Sequence, residues 1–422
     1  MRNSASDVRA KRRPGSGRAR GLTMVEMLVA LALGLVVAAV IVIVQAFLFR
    51  QNAVSSAEMA SNNEARTALD MVSRDVSSAG FLFGGFQNSC GVTLAYDSGG
   101  VSSSGFVSQY PVWAKAAATG ASLPVLSGPT LNYPPAGSSI VDDVLVVTSA
   151  LDASQFTNTS SPEIYLVQFG TTQSSSGGGA ISSTQLPVDT LNLNNTQGIN
   201  AGDSALLQVP MNGQLVCLRI PIVSIGTATG QGATYIKSKP SSYMPTNGYS
   251  DFSTQLNALG LPSLSNPLLL QSRILDTGPA TGSNQRTQIY YIDRATYAWP
   301  TLMRMTVNTA TDTIISTTPV AAGVVDMQVL FGVGSGSVTQ YLRWNQVVAG
   351  GLASQVRTAQ LGLVLRSLHP DVNYHAPASI ALPSPTLGPA TFTAYPVQAA
   401  ESQDHFAAYT TEIPIRNNLW QR

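Results

Sequence analysis

The sequence predicts an α+β protein in which one long N-terminal helix packs on a large antiparallel β-rich head. Three observations support this prediction. An uncharged apolar run lies near the N-terminus, helical periodicity continues beyond it, and short β-branched runs between Gly- and Ser-rich turns fill most of the remaining chain. A length of 422 residues suits one large domain or two.

Charge is scarce and unevenly placed. Asp, Glu, Lys and Arg make up 11% of the chain, against about 25% in a typical soluble domain. Residues 1–21 hold seven basic side chains and one acidic side chain, whereas the rest of the chain holds 16 basic and 21 acidic ones. An acidic body lacks the electrostatic footprint of a nucleic-acid-binding protein, so nucleic acid is not expected as the main ligand.

The apolar run from Met27 to Phe49 contains 23 residues without a charge. As a helix it is roughly 34 Å long, enough to cross the ~30 Å hydrocarbon core of a membrane. Its basic N-terminal flank predicts a cytoplasmic N-terminus and an exported remainder. The alternative is a cleaved secretory signal, but the apolar region of such a signal is usually about 7–15 residues long. We therefore expect one retained span.

Helical periodicity continues through residues 50–80. No proline occurs between Pro14 and Pro111. Apolar residues recur at helical spacing along one face: Ala65, Ala68, Leu69, Val72, Val76 and Ala79. We therefore expect one helix of more than fifty residues with an amphipathic second half, and Gly80 as its C-terminal cap.

The chain beyond residue 80 is predicted to be β-rich. Strand-like runs occupy residues 139–150, 163–170, 204–210, 214–225, 287–292, 301–308 and 324–333. These runs are short, β-branched and often alternating, as expected of half-buried antiparallel strands. No repeat of fixed period is present, which argues against a propeller or a solenoid.

The junction between the basic segment and the apolar run carries a specific motif. Residues 20–28 read RGLTMVEML. A carboxylate inside a spanning segment costs several kcal/mol and needs a partner or a role, unless Glu26 lies at the headgroup edge. The arrangement resembles the class III leader of type IV prepilins and type II secretion pseudopilins. The resemblance implies cleavage by the prepilin peptidase between Gly21 and Leu22 and N-methylation of Leu22, although Leu replaces the commoner Phe at that position.

Cleavage after Gly21 would create a free amine on Leu22, which is protonated at neutral pH. In a helical bundle in lipid, this cation and the Glu26 carboxylate each need an opposite charge. The amine of one subunit can pair with the Glu26 carboxylate of its neighbour. The ion pair offsets the cost of burying both charges and sets the register between neighbouring helices. We therefore predict an assembly ion pair at Glu26.

Segments farther along the chain resemble the larger minor pilins of the PilW type. They are residues 74–81, 324–333, 343–348 with 355–367, and 407–418. The resemblance implies a pilin-like fold, no enzymatic activity, no cofactor, and a role in type IV pilus assembly, in a tip or priming complex, with links to cell adhesion and motility. Implied partners are the prepilin peptidase, other minor pilins, the major pilin, the inner-membrane assembly platform and the membrane itself. The implied location is the inner membrane with a periplasmic C-terminal domain, and then the pilus at the cell surface.

The expected organisation follows from these patterns. A basic prepilin leader occupies residues 1–21, a transmembrane assembly helix 22–49, an amphipathic periplasmic half of the helix 50–80, and a β-rich head 81–422. Residues 90–285 of the head carry no family signature.

Other classes of protein stay open. A J-like type II secretion pseudopilin shares the motif, and a signal-anchored periplasmic hydrolase or glycan-binding adhesin shares the span and the β-rich head. No nucleophile elbow, P-loop or dinucleotide fingerprint is present. His369, Asp371 and His375 could ligate a metal, but they lack the spacing of known metal motifs and predict a solvated loop. Asp142 and Asp143 are predicted to mark an exposed edge or turn rather than a paired catalytic acid.

The chain has two cysteines, Cys90 and Cys217, 127 positions apart. An exported head meets an oxidising compartment, where these residues can form a disulfide. The bridge would close a long loop and could stabilise the head by several kcal/mol. The sequence does not show whether their Cα atoms lie within about 7 Å, so bridged and free cysteines are both open.

Overall fold

The structure is a computed structural model. It describes residues 23–80, 92–97, 100–102, 110–116, 142–150, 165–166, 190–193, 198–211, 214–222, 224–227, 234–237, 271–279, 285–308 and 313–416. The chain divides into two compact units, Met1–Ser56 and Ala57–Arg422.

A single helix of 54 residues, α1, runs from Met24 to Ser77, which confirms the predicted long helix. The predicted apolar stripe is also confirmed, because five of its members are wholly buried: Ala65, Ala68, Val72, Val76 and Ala79. The turn after the helix ends at Gly80, whose φ of 72° would strain a residue with a Cβ. The Gly80 N–H donates to the carbonyl of Thr148 at 2.8 Å, so this turn is joined to the head.

A central sheet of five antiparallel strands shares its core with the second half of α1. In spatial order its strands are Ile314–Ala322 (β14), Thr301–Asn308 (β13), Gln285–Asp293 (β12), Asp143–Ala150 (β4) and Val112–Ala116 (β3). β4 and β12 are neighbours although residues 151–284 separate them in the chain. Ala150 at the end of β4 pairs with Gln285 at the start of β12. The chain therefore leaves this sheet after Ala150 and re-enters it at Gln285, directly opposite.

Strands of the intervening segment form two further sheets, the larger of which also contains two strands from the chain between α1 and β3. A six-stranded sheet has the order Gly100–Ser102 (β2), Val92–Asp97 (β1), Gln214–Pro221 (β8), Asp203–Met211 (β7), Arg273–Pro279 (β11) and Tyr165–Leu166 (β5). A three-stranded sheet has the order Thr190–Leu193 (β6), Thr234–Lys237 (β10) and Ser224–Thr227 (β9). Among the described strands, β1 and β8 make the one parallel pairing. Leu206, Cys217 and Leu275 form a buried cluster here, separate from the main core.

The C-terminal sheet has four antiparallel strands. Their order is Gln340–Leu342 (β16), Val324–Val333 (β15), Val356–Arg366 (β17) and Phe406–Pro414 (β20). A short helix, Trp344–Ala349 (α2), and a 3₁₀ turn, Ala353–Gln355, lead from β16 into β17. Ser379–Ile380 (β18) pairs with Tyr395–Pro396 (β19), and a 3₁₀ turn at Ala399–Glu401 precedes β20.

β15 is buried at every position, so the half-buried pattern predicted for residues 324–333 is wrong. The main core takes Met327, Val329 and Phe331, and a second core takes Val325 and Leu330. The second core is completed by Leu382 and Phe392 from residues 379–397, which we call the cover segment. The cover segment buries the face of β15 that an uncovered sheet would present to water.

The predicted α+β fold is confirmed, with an apolar N-terminal helix and a large body of mainly antiparallel sheet. The prediction for Asp142 and Asp143 is wrong. They are 4% and 3% exposed, because β4 lies inside the central sheet and its start is covered by the C-terminal part of the head. The predicted strand at 163–170 is described only at Tyr165–Leu166.

Candidate functional site

The first turn of α1 is closed by a reciprocal pair of side chains. The backbone N–H of Thr23 donates to Glu26 Oε2 at 2.9 Å, and the Thr23 hydroxyl donates to the same oxygen at 3.0 Å. The Glu26 N–H in turn donates to the Thr23 hydroxyl oxygen at 3.3 Å. This arrangement is a capping box, which gives partners to N–H groups that a helix N-terminus otherwise leaves unsatisfied.

The role of Thr23 was not predicted from the sequence. Thr and Glu three residues apart, directly ahead of an apolar run, are the sequence signature of a capping box. The structure therefore gives Glu26 a local task besides any contact with another subunit. Its partners in the cap are uncharged, so the cap supplies no counter-charge to this carboxylate. Gly21 and Leu22 lie outside the described residues.

The segment from Met24 to Phe49 has a mean hydropathy of 3.2 over its most apolar window and is long and apolar enough to cross a membrane. None of that window is buried within the chain. A continuous apolar surface of this length needs lipid or other apolar helices around it. The first half of α1 is thus suited to a membrane or to a bundle of similar helices.

The second half of α1 is fixed to the head by polar contacts as well as by its apolar stripe. Glu64 Oε2 accepts the N–H of Ala322, at the end of β14, at 2.9 Å. The Tyr409 hydroxyl on β20 donates to Asn62 Oδ1. Contacts of this kind specify which face of the helix meets the sheets.

Asp75 makes a further polar contact, with a tyrosine that is wholly buried in the central sheet. Its Oδ2 accepts the Tyr290 hydroxyl at 2.6 Å and lies 2.9 Å from Arg304 Nη2. Burial, reinforced by the Asp75 carboxylate, raises the pKa of the Tyr290 hydroxyl, which therefore stays protonated and donates. One carboxylate on the helix thus satisfies two groups of the central sheet.

The predicted histidine loop is where the sequence indicated. His369 and His375 are exposed in an irregular segment after β17. Asp371 Oδ2 lies 3.6 Å from the Nε2 atom of a third histidine, His405, on which Tyr374 stacks. In the part of the chain that the structure describes, no group of three or more His, Cys, Asp or Glu side chains is arranged to hold a metal ion.

Cys217 is wholly buried on β8, and no cysteine among the described residues is free. Cys90 lies outside the described residues. The Cys90–Cys217 bridge therefore stays a prediction.

Two family models match the chain. The prokaryotic N-terminal methylation motif matches residues 16–42, which include the predicted cleavage site and the capping box. The type IV pilus-assembly protein W model, PilW, matches residues 289–417, from β12 through β20. Residues 151–284 lie outside both matches. No curated protein and no solved structure matches the chain.

The matches and the structure agree. The N-terminal motif falls on the capped, apolar start of α1, which fits a membrane-anchored pilin that works with the pilus machinery. The PilW match falls on the sheets that hold the second half of the helix, and its family is a structural component of assembly. Neither the J-like pseudopilin nor the anchored hydrolase or adhesin is favoured. The chain therefore carries a prepilin N-terminal motif and a PilW region, and the two matches together support a minor pilin of type IV pilus assembly.

Proposed function

We propose that this minor pilin is a non-enzymatic subunit of a tip or priming complex, inserted in the inner membrane by one span and later carried into the pilus at the cell surface. The observation that carries the proposal is α1, whose first half is apolar and exposed while its second half is fixed to the head. Such a helix can pass from lipid into a bundle of pilin helices without refolding the head. The four-part organisation predicted from the sequence, with leader 1–21, span 22–49, amphipathic half 50–80 and head 81–422, belongs to this proposal.

Processing begins at the N-terminal motif. The prepilin peptidase cuts between Gly21 and Leu22, and the amine of Leu22 is then methylated. The match of the methylation motif to residues 16–42 supports this step. Other minor pilins, the major pilin and the assembly platform are the partners that the processed subunit meets in the membrane.

Glu26 has two tasks in this proposal. Its carboxylate caps α1 through Thr23, and its charge receives the protonated Leu22 amine of a neighbouring subunit. The cap supports the second task, because it holds the carboxylate at the first turn, close in sequence to the new N-terminus. Breaking one side of a buried ion pair costs about 3–5 kcal/mol, which weakens association by two orders of magnitude or more.

A matched pair of variants separates the two tasks. Glu26→Gln keeps a side chain that can cap the helix but removes the charge, since Gln also serves in capping boxes. Thr23→Ala removes the cap at a cost of about 0.5–2 kcal/mol and keeps the charge. Both variants are expected to be processed and inserted, which the mature mass and membrane fractionation check.

The readout is recovery of the other minor pilins with each variant at matched expression, together with surface piliation. We expect Glu26→Gln to lose both and Thr23→Ala to keep both. If both variants lost partner recovery and piliation equally, the capped first turn of the helix, rather than the charge of Glu26, would be what supports assembly. Normal recovery with Glu26→Gln would remove the ion pair from the proposal.

A Cys90–Cys217 disulfide completes the proposed head. It would join the segment after α1 to β8 and stabilise the layer inserted between β4 and β12. Counting free thiols in the native and the reduced full-length protein tests it. Zero free thiols in the native protein and two after reduction are expected, and two in the native protein would contradict the bridge.

A further inference from the structure

Three aspartates and two arginines form a buried charge cluster where the central sheet meets the C-terminal sheet. Asp142 and Asp143 lie at the start of β4, Asp326 lies on β15, Arg294 follows β12, and Arg343 precedes α2. The three aspartates are 4%, 3% and 1% exposed. Burying an ionised carboxylate is costly unless its charge is compensated, so the charges of this cluster must nearly balance.

The two arginines each pair with one aspartate of β4. Arg294 Nη2 lies 2.6 Å from Asp142 Oδ2, and Arg343 Nη1 lies 3.7 Å from Asp143 Oδ2. Asp143 Oδ2 also accepts the N–H of Val329 at 2.7 Å, which joins β4 to β15. Three ionised carboxylates and two guanidinium groups would leave one buried negative charge uncompensated.

Asp326 is the third carboxylate. Its Oδ2 accepts a hydrogen bond from Gln328 Nε2 at 2.7 Å. Asp142 and Asp326 lie on either side of Arg294, whose Nη2 pairs with Asp142 and also donates to the carbonyl of Val325, next to Asp326, at 2.6 Å. The Oδ1 atom of each aspartate is buried without a hydrogen-bond partner among the described residues. Two ionised carboxylates cannot hydrogen-bond to each other, whereas a protonated carboxyl donates to a carboxylate. One proton would therefore satisfy both acids and bring the net charge of the cluster to zero.

We propose that the folded head holds one proton between Asp142 and Asp326, and that the cluster is a pH-sensitive latch that weakens when this proton is lost. The latch also holds the cover segment. Gln328 Nε2 donates to the Thr393 carbonyl at 2.7 Å, and the Thr393 N–H donates to Gln328 Oε1 at 2.8 Å. When the proton is lost, the ionised Asp326 is repelled by the carboxylates of Asp142 and Asp143. This repulsion disturbs Gln328, whose side chain bonds the cover segment to β15.

The electrostatic surroundings agree with this assignment. Burial, and then the charge of Asp142, raise the pKa of Asp326 well above its usual range. Burial likewise raises the pKa of Asp142 and of Asp143 to about 6.

The cover segment and its neighbours also present ionisable groups to the cluster. Tyr395 lies within the electrostatic range of Arg294, and its hydroxyl donates to Glu401 Oε2 at 2.8 Å. Arg366 Nη1 lies 3.0 Å from Glu401 Oε1 and 3.3 Å from Asp404 Oδ2, so one guanidinium group faces two carboxylates. Burial raises the pKa of Asp404, which makes the second carboxylate easier to protonate.

The sign of the pH dependence follows from these directions. An acid whose pKa is raised by folding favours the folded state below its unfolded pKa of about 3.9, and this stability is lost as the pH rises through the folded value. The latch groups therefore lower the stability of the head as the pH rises above about 3.9, up to about 6 for Asp142 and Asp143 and beyond that for Asp326. This is the reverse of the usual effect of paired carboxylates.

Asp326→Asn tests the proposal in the full-length protein in detergent. The amide is neutral at every pH, and it can donate to Asp142 while accepting from Gln328. We expect the Tm of the wild type to fall by roughly 5 °C between about pH 6 and pH 9, and the Tm of Asp326→Asn to change much less. Asp70→Asn, on the exposed face of α1, is the matched control and should follow the wild type.

Infrared spectroscopy provides the direct readout. At neutral pH the difference spectrum between wild type and Asp326→Asn should show the carbonyl band of a protonated carboxyl group. Absence of this band, or an equal pH slope in the two proteins, overturns the proposal. If Asp326→Asn does not fold, the infrared spectrum of Glu26→Gln is recorded instead. This variant lacks the carboxyl group of the span, so a remaining protonated-carboxyl band must come from another carboxyl group. A protonated-carboxyl band lost on alkaline titration supports the shared proton, and its absence at neutral pH refutes it.

Discussion

Removing the Asp75 carboxylate should loosen α1 from the head. Asp75→Ala leaves the wholly buried Tyr290 hydroxyl without its acceptor and Arg304 without its counter-charge. An unsatisfied buried polar group costs about 1–3 kcal/mol, and a broken, fully buried ion pair costs about 3–5 kcal/mol. The Arg304 and Asp75 side chains are 25% and 17% exposed, so water recovers part of the second term. We therefore expect a loss of about 2–4 kcal/mol in the free energy of unfolding of the head.

The assay is urea unfolding of the full-length protein in detergent, followed by tryptophan fluorescence. The chain has four tryptophans, none of which lies in the apolar span, and Trp113, Trp299 and Trp344 are described in the head. The fluorescence signal therefore reports on the head.

The matched control is Asp70→Ala on the same helix. Asp70 pairs with Arg74 at 2.9 Å, but the two side chains are 71% and 78% exposed, so its loss should change stability by less than about 0.5 kcal/mol. Tyr290→Phe should cost less stability than Asp75→Ala. In a Tyr290→Phe background, Asp75→Ala should destabilise the head less than it does in the wild type. Equal stabilities of Asp75→Ala and Asp70→Ala would refute the reasoning.

Three further predictions follow from the same structure. Gly21→Val should accumulate a longer, membrane-retained precursor, because a branched side chain crowds the scissile peptide, and normal processing on an immunoblot would place the cleavage elsewhere. Replacing residues 151–284 by a two-residue turn should leave a folded head, because Ala150 and Gln285 already pair and the described main core takes no residue from this segment. Loss of the native near-UV circular dichroism spectrum would contradict this prediction. A chelator should leave the urea midpoint of the head unchanged, and a lower midpoint would revive a metal site at His369 and His375.

Elements governed by local patterns could be predicted from the sequence. The buried stripe of α1 follows from helical spacing of apolar residues, and two strands, 301–308 and 324–333, have the predicted bounds. β14 was not predicted. Most of its residues are exposed and it contains Pro319, so it lacks the alternation that marks a half-buried strand.

Features that depend on distant residues could not be predicted. The burial of Asp142 and Asp143 requires Arg294, Arg343 and Asp326, all of which come from beyond residue 284. A pair of aspartates read without these partners is expected at the surface, because carboxylates are rarely buried unless paired. The pairing of β4 with β12 is equally non-local, since no short-range signal reports which strands meet across an inserted segment. The capping box of Thr23 and Glu26 was local and could have been predicted.

Mass spectrometry of the mature N-terminus, on protein isolated from cells with an active prepilin peptidase, tests the central claim most directly. A pilin of this type should begin at Leu22 and carry a methyl group on its amine, with Thr23 and Glu26 intact in the first helical turn. An intact Met1, or a terminus near Ala38 and Ala39 as a secretory signal would leave, would contradict the account.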